Sequence, residues 1–133
     1  MNTAAIPDRP RALIVDDNAE VLATTGDLLE AEGFDVTRAA TGDDALAHLG
    51  SGQMFHLLVT DHVMPGLDGV DLGCWALERF PALKVLVITG FPVVERVPAM
   101  PPGMSLLAKP FRRAALNTRL RSLFNNNPIW KSE

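Results

Sequence analysis

Residues 57–69 read Leu57-Leu58-Val59-Thr60-Asp61-His62-Val63-Met64-Pro65-Gly66-Leu67-Asp68-Gly69. The opening run is continuously apolar, the pattern of a central parallel strand buried on both faces, and it ends on a carboxylate, Asp61. Two more runs of this kind occur, Leu13-Ile14-Val15 and Val85-Leu86-Val87-Ile88. Stretches of helical period separate them, and that alternation predicts an α/β fold with a parallel sheet covered by helices. Five strands are predicted: Ala12–Val15, Asp35–Ala39, Leu57–Thr60, Val85–Thr89 and Ser105–Ala108. The second mixes Asp35, Thr37 and Arg38 with apolar neighbours, which suits a sheet edge.

Between the strands, Val21, Leu22, Leu28 and Leu29 recur at helical spacing and Gly33 stops the pattern, so a helix is predicted from about Ala19 to Glu32. Thr41 with Asp44 resembles a capping box and opens a second helix through Leu49. A third, about Val70 to Phe80, presents Leu72, Trp75, Ala76 and Phe80 before Pro81. The last carries Leu116, Leu120, Leu123 and Phe124 as an amphipathic stripe, with Arg112, Arg113, Arg119 and Arg121 opposite. The remaining helical slot is broken: Pro98, Pro101 and Pro102 confine any helix there to about Pro92–Val97, followed by an irregular loop.

The chain has 133 residues, about one domain, and 47% of them are hydrophobic, so it can bury a core without disulfides or structural metal. Twelve Lys and Arg against sixteen Asp and Glu give a net charge of −4, which disfavours sequence-independent nucleic-acid binding. The single cysteine, Cys74, excludes an internal disulfide and a multi-cysteine zinc site, and reads as a buried thiol in a reducing compartment. The longest apolar stretch, Leu83 to Val94, is interrupted by Lys84, Thr89, Gly90 and Pro92, too short to span a bilayer. Residues 1–11 lack a basic segment followed by an apolar core, so a cytoplasmic protein is the economical reading. Residues 1–10 read as an N-terminal extension, 11–124 as the domain, and 125–133, opening on Asn125-Asn126-Asn127-Pro128, as a tail.

In open parallel sheets the site lies beyond the carboxyl ends of the strands. Here those ends lead into Asp16-Asp17, Asp61, Thr89 and Lys109-Pro110. Three carboxylates converging in a half-buried cleft repel one another, and a divalent cation relieves that repulsion; oxygen ligands of this kind suit Mg²⁺. Lys109 supplies a second positive charge, so metal and ammonium together would cradle a transferring phosphoryl group. The central carboxylate, Asp61, is best placed to act as a nucleophile and form an acyl phosphate.

Four motifs recur together: Leu13-Ile14-Val15-Asp16-Asp17-Asn18, then Thr60 to Gly69, then Ile88-Thr89-Gly90, then Ala108-Lys109-Pro110-Phe111. On these the chain resembles the receiver domains of two-component response regulators, the CheY-like superfamily, over about Arg11 to Phe124. The resemblance implies a doubly wound, flavodoxin-like sheet of order 2-1-3-4-5. It implies that Asp61 accepts phosphate from a phosphohistidine of a sensor histidine kinase or histidine phosphotransfer protein. Asp17, Asp61 and the backbone carbonyl of Val63 would ligate Mg²⁺, with Asp16 acting mostly through water. Thr89 would hydrogen-bond a phosphoryl oxygen and Lys109 would pair with Asp61 and its phosphate. Pro65, Gly66 and Gly69 would shape the loop, Gly90 would keep access open, and Lys109-Pro110 would be a cis peptide. Such a domain assists only its own phosphorylation and dephosphorylation and is not a turnover enzyme. With no output module expected after Phe124, its signal would leave by protein contact and not by direct DNA binding.

Receivers often carry Tyr or Phe three residues before the lysine; here that position is Leu106. With the proline-broken slot, this redirects the expected switch to the segment Phe91 to Gly103. Val63 and Phe91, two residues after Asp61 and Thr89, are apolar where polar groups would orient an attacking water, so slow phosphoryl hydrolysis is expected. His62, beside Asp61, reads as a surface or packing residue. Two rivals remain: an interaction module that takes no phosphate, and a Mg²⁺-dependent aspartyl-phosphate phosphohydrolase. The latter wants a second aspartate where this chain has Val63.

Overall fold

The computed structural model describes residues 9–90 and 101–124. In chain order its elements are β1 (Arg11–Val15), α1 (Ala19–Ala31), β2 (Asp35–Ala39), α2 (Gly42–Leu49), β3 (Leu57–Asp61), β4 (Val63–Met64), β5 (Leu67–Asp68), α3 (Gly69–Arg79), β6 (Lys84–Thr89), β7 (Met104–Ala108) and α4 (Arg113–Leu123). Five strands form one parallel sheet in the order β2-β1-β3-β6-β7, which is 2-1-3-4-5 when only its members are counted. All five predicted strands are present, and the charged β2 lies on an edge. The slot at Pro92–Val97 and most of the segment Phe91 to Gly103 lie outside the described residues, as do the tail and most of the N-terminal extension.

Strand side chains alternate between two cores. Ala12, Ile14, Leu57, Val59, Leu86, Ile88 and Leu107 face one way, against Leu29 of α1 and Leu116 and Leu120 of α4. Leu13, Val15, Leu58, Val85, Val87 and Met104 face the other, against Ala45 and Leu49 of α2 and Leu72 and Ala76 of α3. Burial on both faces explains why the central runs are uninterrupted by polar residues.

Local chemistry fixes the helix ends. The side chains of Asn18, Thr41 and Asp68 accept hydrogen bonds from the first free backbone N–H groups of α1, α2 and α3. Gly33, at φ 105°, turns the chain out of α1 while Phe34 N–H donates back to Leu29. Two expectations are corrected. Phe80 does not join the apolar face of α3, because the helix ends at Arg79 and leaves the ring partly exposed. Cys74 is half-buried at the rim of a core and not fully enclosed. The short antiparallel hairpin β4–β5 is an addition: Pro65-Gly66 forms its turn, with Gly66 at the positive φ of 78°.

Candidate functional site

Parallel pairing sets the site by register. Val15 pairs with Thr60, so the residues that follow, Asp16 and Asp61, emerge side by side from β1 and β3. Asp61 pairs with Ile88, and Thr89 pairs with Ala108, which brings Thr89 and Lys109 to the same edge. The carboxylates of Asp16, Asp17 and Asp61 present oxygens that all lie within 4.8 Å of one another. Asp16 is buried, Asp61 half-buried and Asp17 exposed, so the cluster opens outward.

Lys109 Nζ stands 3.1 Å from Asp61 Oδ1, which directs one positive charge at the central carboxylate. Burial pushes the Asp16 carboxyl above its ordinary range; the Asn18 backbone N–H, which donates to its Oδ1 at 2.9 Å, opposes that shift, while Asp61 and Asp17 add to it. One ammonium among three carboxylates leaves a surplus of negative charge. A hard divalent cation fits this all-oxygen donor set, and Mg²⁺ is the one that tolerates a few carboxylates with water completing the shell.

Other residues singled out in the sequence surround this cluster. Val63 opens β4 and is 56% exposed, and Pro65 and Gly66 form the exposed hairpin turn. Gly69 begins α3 directly against β3: its N–H donates to the His62 carbonyl at 2.7 Å, and a Cβ there would collide with the Asp61 carbonyl. Gly90 is exposed, and a Cβ on it would meet no described atom within 4 Å. Lys109-Pro110 is a cis peptide. Leu106 is half-buried against the core beneath α2 and α3, while Phe91 lies outside the described residues.

His62 differs from its reading as a surface or packing residue. Its Nδ1 lies 3.0 Å from Thr89 Oγ1, and its Nε2 lies 3.7 Å from Asp68 Oδ2. The register accounts for this: with Asp61 opposite Ile88, the next residues on the two strands, His62 and Thr89, are neighbours. Pairing of the third and fourth sheet strands, had their register been fixed from sequence, would have carried that signal.

A family model described as "Response regulator receiver domain" matches residues 12–121. The chain is 37% identical over 103 residues to the response regulator receiver protein CpdR of Brucella abortus, covering 76% of this chain and 85% of that one. It is 33% identical over 122 residues to the transcriptional regulatory protein TcrA of Mycobacterium tuberculosis, covering 90% of this chain but only 47% of that one. Among solved structures, a response regulator receiver protein from Sinorhizobium medicae superposes with a TM-score of 0.79 at 30% identity, over 88% of this chain and 95% of that one. The fold, the acidic cluster at the strand ends and these matches agree: the chain belongs to the response regulator receiver domain family.

Proposed function

We propose that this domain is a phosphoacceptor: Asp61 takes a phosphoryl group from the phosphohistidine of a sensor histidine kinase or a histidine phosphotransfer protein, and the domain signals by protein contact. The observation that carries this reading is the Lys109–Asp61 contact at 3.1 Å beside the clustered Asp16 and Asp17. An Asp61 oxygen attacks phosphorus, the P–N bond breaks, and the imidazole nitrogen leaves with the electron pair and takes a proton from solvent. Lys109 holds Asp61 in line and neutralises the phosphoryl oxygens. Thr89 donates its hydroxyl to one of them. Asp16, Asp17, Asp61 and the Val63 carbonyl would hold Mg²⁺, which when bound supplies charge neutralisation of the phosphoryl oxygens.

A groove of about 440 Å³ runs beside the site between α1 and the segment following β7, lined by Val21, Leu28, Lys109, Pro110 and Phe111 among others. Its apolar walls, reaching to Lys109, suit the helix of a donor presenting its phosphohistidine to Asp61. The Val63 side chain gives an attacking water no polar partner, and the acyl phosphate hydrolyses slowly. The domain performs this chemistry on itself and turns over no metabolite.

The test is intact-protein mass after incubation with acetyl phosphate and Mg²⁺. Wild type gains one phosphoryl group, Asp61→Asn gains none, and the decay of the added mass gives the lifetime. No gain in the wild type identifies an interaction module independent of phosphate, and steady hydrolysis of added phosphomonoesters identifies a phosphohydrolase.

A further inference from the structure

We propose that His62 is a positioning residue that holds the Thr89 hydroxyl in the unphosphorylated domain and competes with the phosphoryl group for its single proton. The proposal rests on the phosphoacceptor reading above and concerns how that same site is restrained.

The ring is fixed on two sides before its side chain makes any contact. His62 N–H donates to the Ile88 carbonyl at 2.9 Å, and the His62 carbonyl accepts from Gly69 N–H at 2.7 Å, so the residue is pinned between β6 and the start of α3. The ring then bridges the same two elements, with Nδ1 3.0 Å from Thr89 Oγ1 and Nε2 3.7 Å from Asp68 Oδ2. Asp68 is itself held, because its other oxygen accepts from the Val70 and Asp71 N–H groups as the cap of α3. Thr89 is 3% exposed, and its carbonyl accepts from Lys109 N–H at 2.8 Å. A chain of contacts therefore links the cap of α3, through His62, to the hydroxyl beside the phosphoacceptor.

The direction of the hydrogen bond decides the consequence. A carboxylate facing Nε2 places the neutral ring's proton there, which leaves Nδ1 as an acceptor and makes Thr89 the donor. A hydroxyl has one proton to give. A phosphoryl oxygen on Asp61 is also only an acceptor, so Thr89 must leave His62 before it can donate to the phosphate. His62 thus lowers the affinity of the site for a phosphoryl group by the worth of about one hydrogen bond, roughly twofold to tenfold. When the hydroxyl leaves, the ring keeps its contact with Asp68, and the cap of α3 lies next to the change. This route does not need an aromatic ring at position 106.

The experiment titrates the domain with beryllofluoride, a phosphoryl mimic, in saturating Mg²⁺. His62→Ala is expected to bind it about twofold to tenfold more tightly than wild type. His62→Asn, which keeps an acceptor near the place of Nδ1, is expected to stay near the wild-type affinity. In a Thr89→Ala background the His62→Ala effect is expected to vanish, which a merely structural role for His62 would not produce. In the unaltered protein, the ¹⁵N resonance of His62 Nδ1 is expected to move toward that of a ring nitrogen without a donor as beryllofluoride saturates; this reading needs no variant to fold. Unchanged or weakened binding in His62→Ala, an equal effect without the Thr89 hydroxyl, or a stationary Nδ1 resonance overturns the proposal alone. A wild type that takes up neither phosphoryl group nor beryllofluoride overturns the phosphoacceptor reading and this proposal with it.

Discussion

Gly69 shows how closely a residue with no side chain can control the site. An added Cβ would lie 2.9 Å from the Asp61 carbonyl carbon and 3.1 Å from His62 Cα, and the obstructing atoms are backbone that cannot swing aside. Gly69→Ala must therefore push α3 away from β3 or shift Asp61. The expected cost is about 1–3 kcal/mol, read as a lower urea midpoint, with slower mass gain from acetyl phosphate than wild type. Gly90 is the contrast. Its Cβ would enter open space among the described residues, so Gly90→Ala leaves the urea midpoint of the metal-free domain near that of wild type. The role of Gly69 was legible in sequence only as loop-shaping; its contact with Asp61 depends on how α3 returns to β3.

Helices α1 and α4 are joined at one point by charge. The Glu32 carboxylate, 5% exposed, accepts from Arg113 Nε at 2.9 Å and from Asn117 Nδ2 at 2.8 Å, while the Arg113 side chain is 57% exposed. The two partners are not equivalent. Removing Glu32 leaves a guanidinium that water can solvate, whereas removing Arg113 leaves a buried carboxylate with Asn117 as its remaining side-chain partner among the described residues. Arg113→Met is accordingly expected to cost more than Glu32→Gln, about 1–3 kcal/mol against about 1 kcal/mol, measured by chemical denaturation at neutral pH. In the sequence Arg113 stands opposite the apolar stripe of the last helix and Glu32 carries no signal, because the two partners are 81 positions apart. The helices themselves were legible: Thr41 caps α2 as predicted, and Leu116 and Leu120 of the predicted stripe are fully buried, whereas the caps Asn18 and Asp68 were not anticipated. The hairpin β4–β5 was not anticipated, since two-residue strands carry no periodicity to read.

Across the whole molecule the two ends of the sheet behave differently toward protons. At the end opposite the acidic cluster, burial lowers the His56 pKa below its ordinary 6.5, with the Arg11 charge adding to the effect. His56 Nδ1 accepts the Arg11 backbone N–H at 3.0 Å, which the neutral ring allows and a protonated ring would break. The unfolded chain therefore binds this proton more tightly than the folded one. The stability His56 contributes is fully present above about pH 6.5 and is lost as pH falls through the lowered pKa. Urea midpoints are expected to decline on acidification from pH 7 in wild type, and to decline less in His56→Asn, which keeps an acceptor and does not titrate. The net charge of −4 is unevenly placed, since Asp16, Asp17 and Asp61 crowd one pocket while Lys109 to Phe124 carries five basic residues and no acidic one.

The class of fold, the five strands of the main sheet, the Thr41 cap and the chemical identity of the acidic cluster were readable in the sequence alone. Each of these depends on neighbouring residues: apolar runs bury on both faces, caps satisfy the nearest N–H groups, and polar groups collect where parallel strands end. The meeting of His62 with Thr89, the place of Asp68 behind it and the closure of Glu32 on Arg113 come from tertiary packing. Those contacts depend on strand register and on the angle at which helices return to the sheet. A shift of one residue in pairing would separate them without altering any local signal.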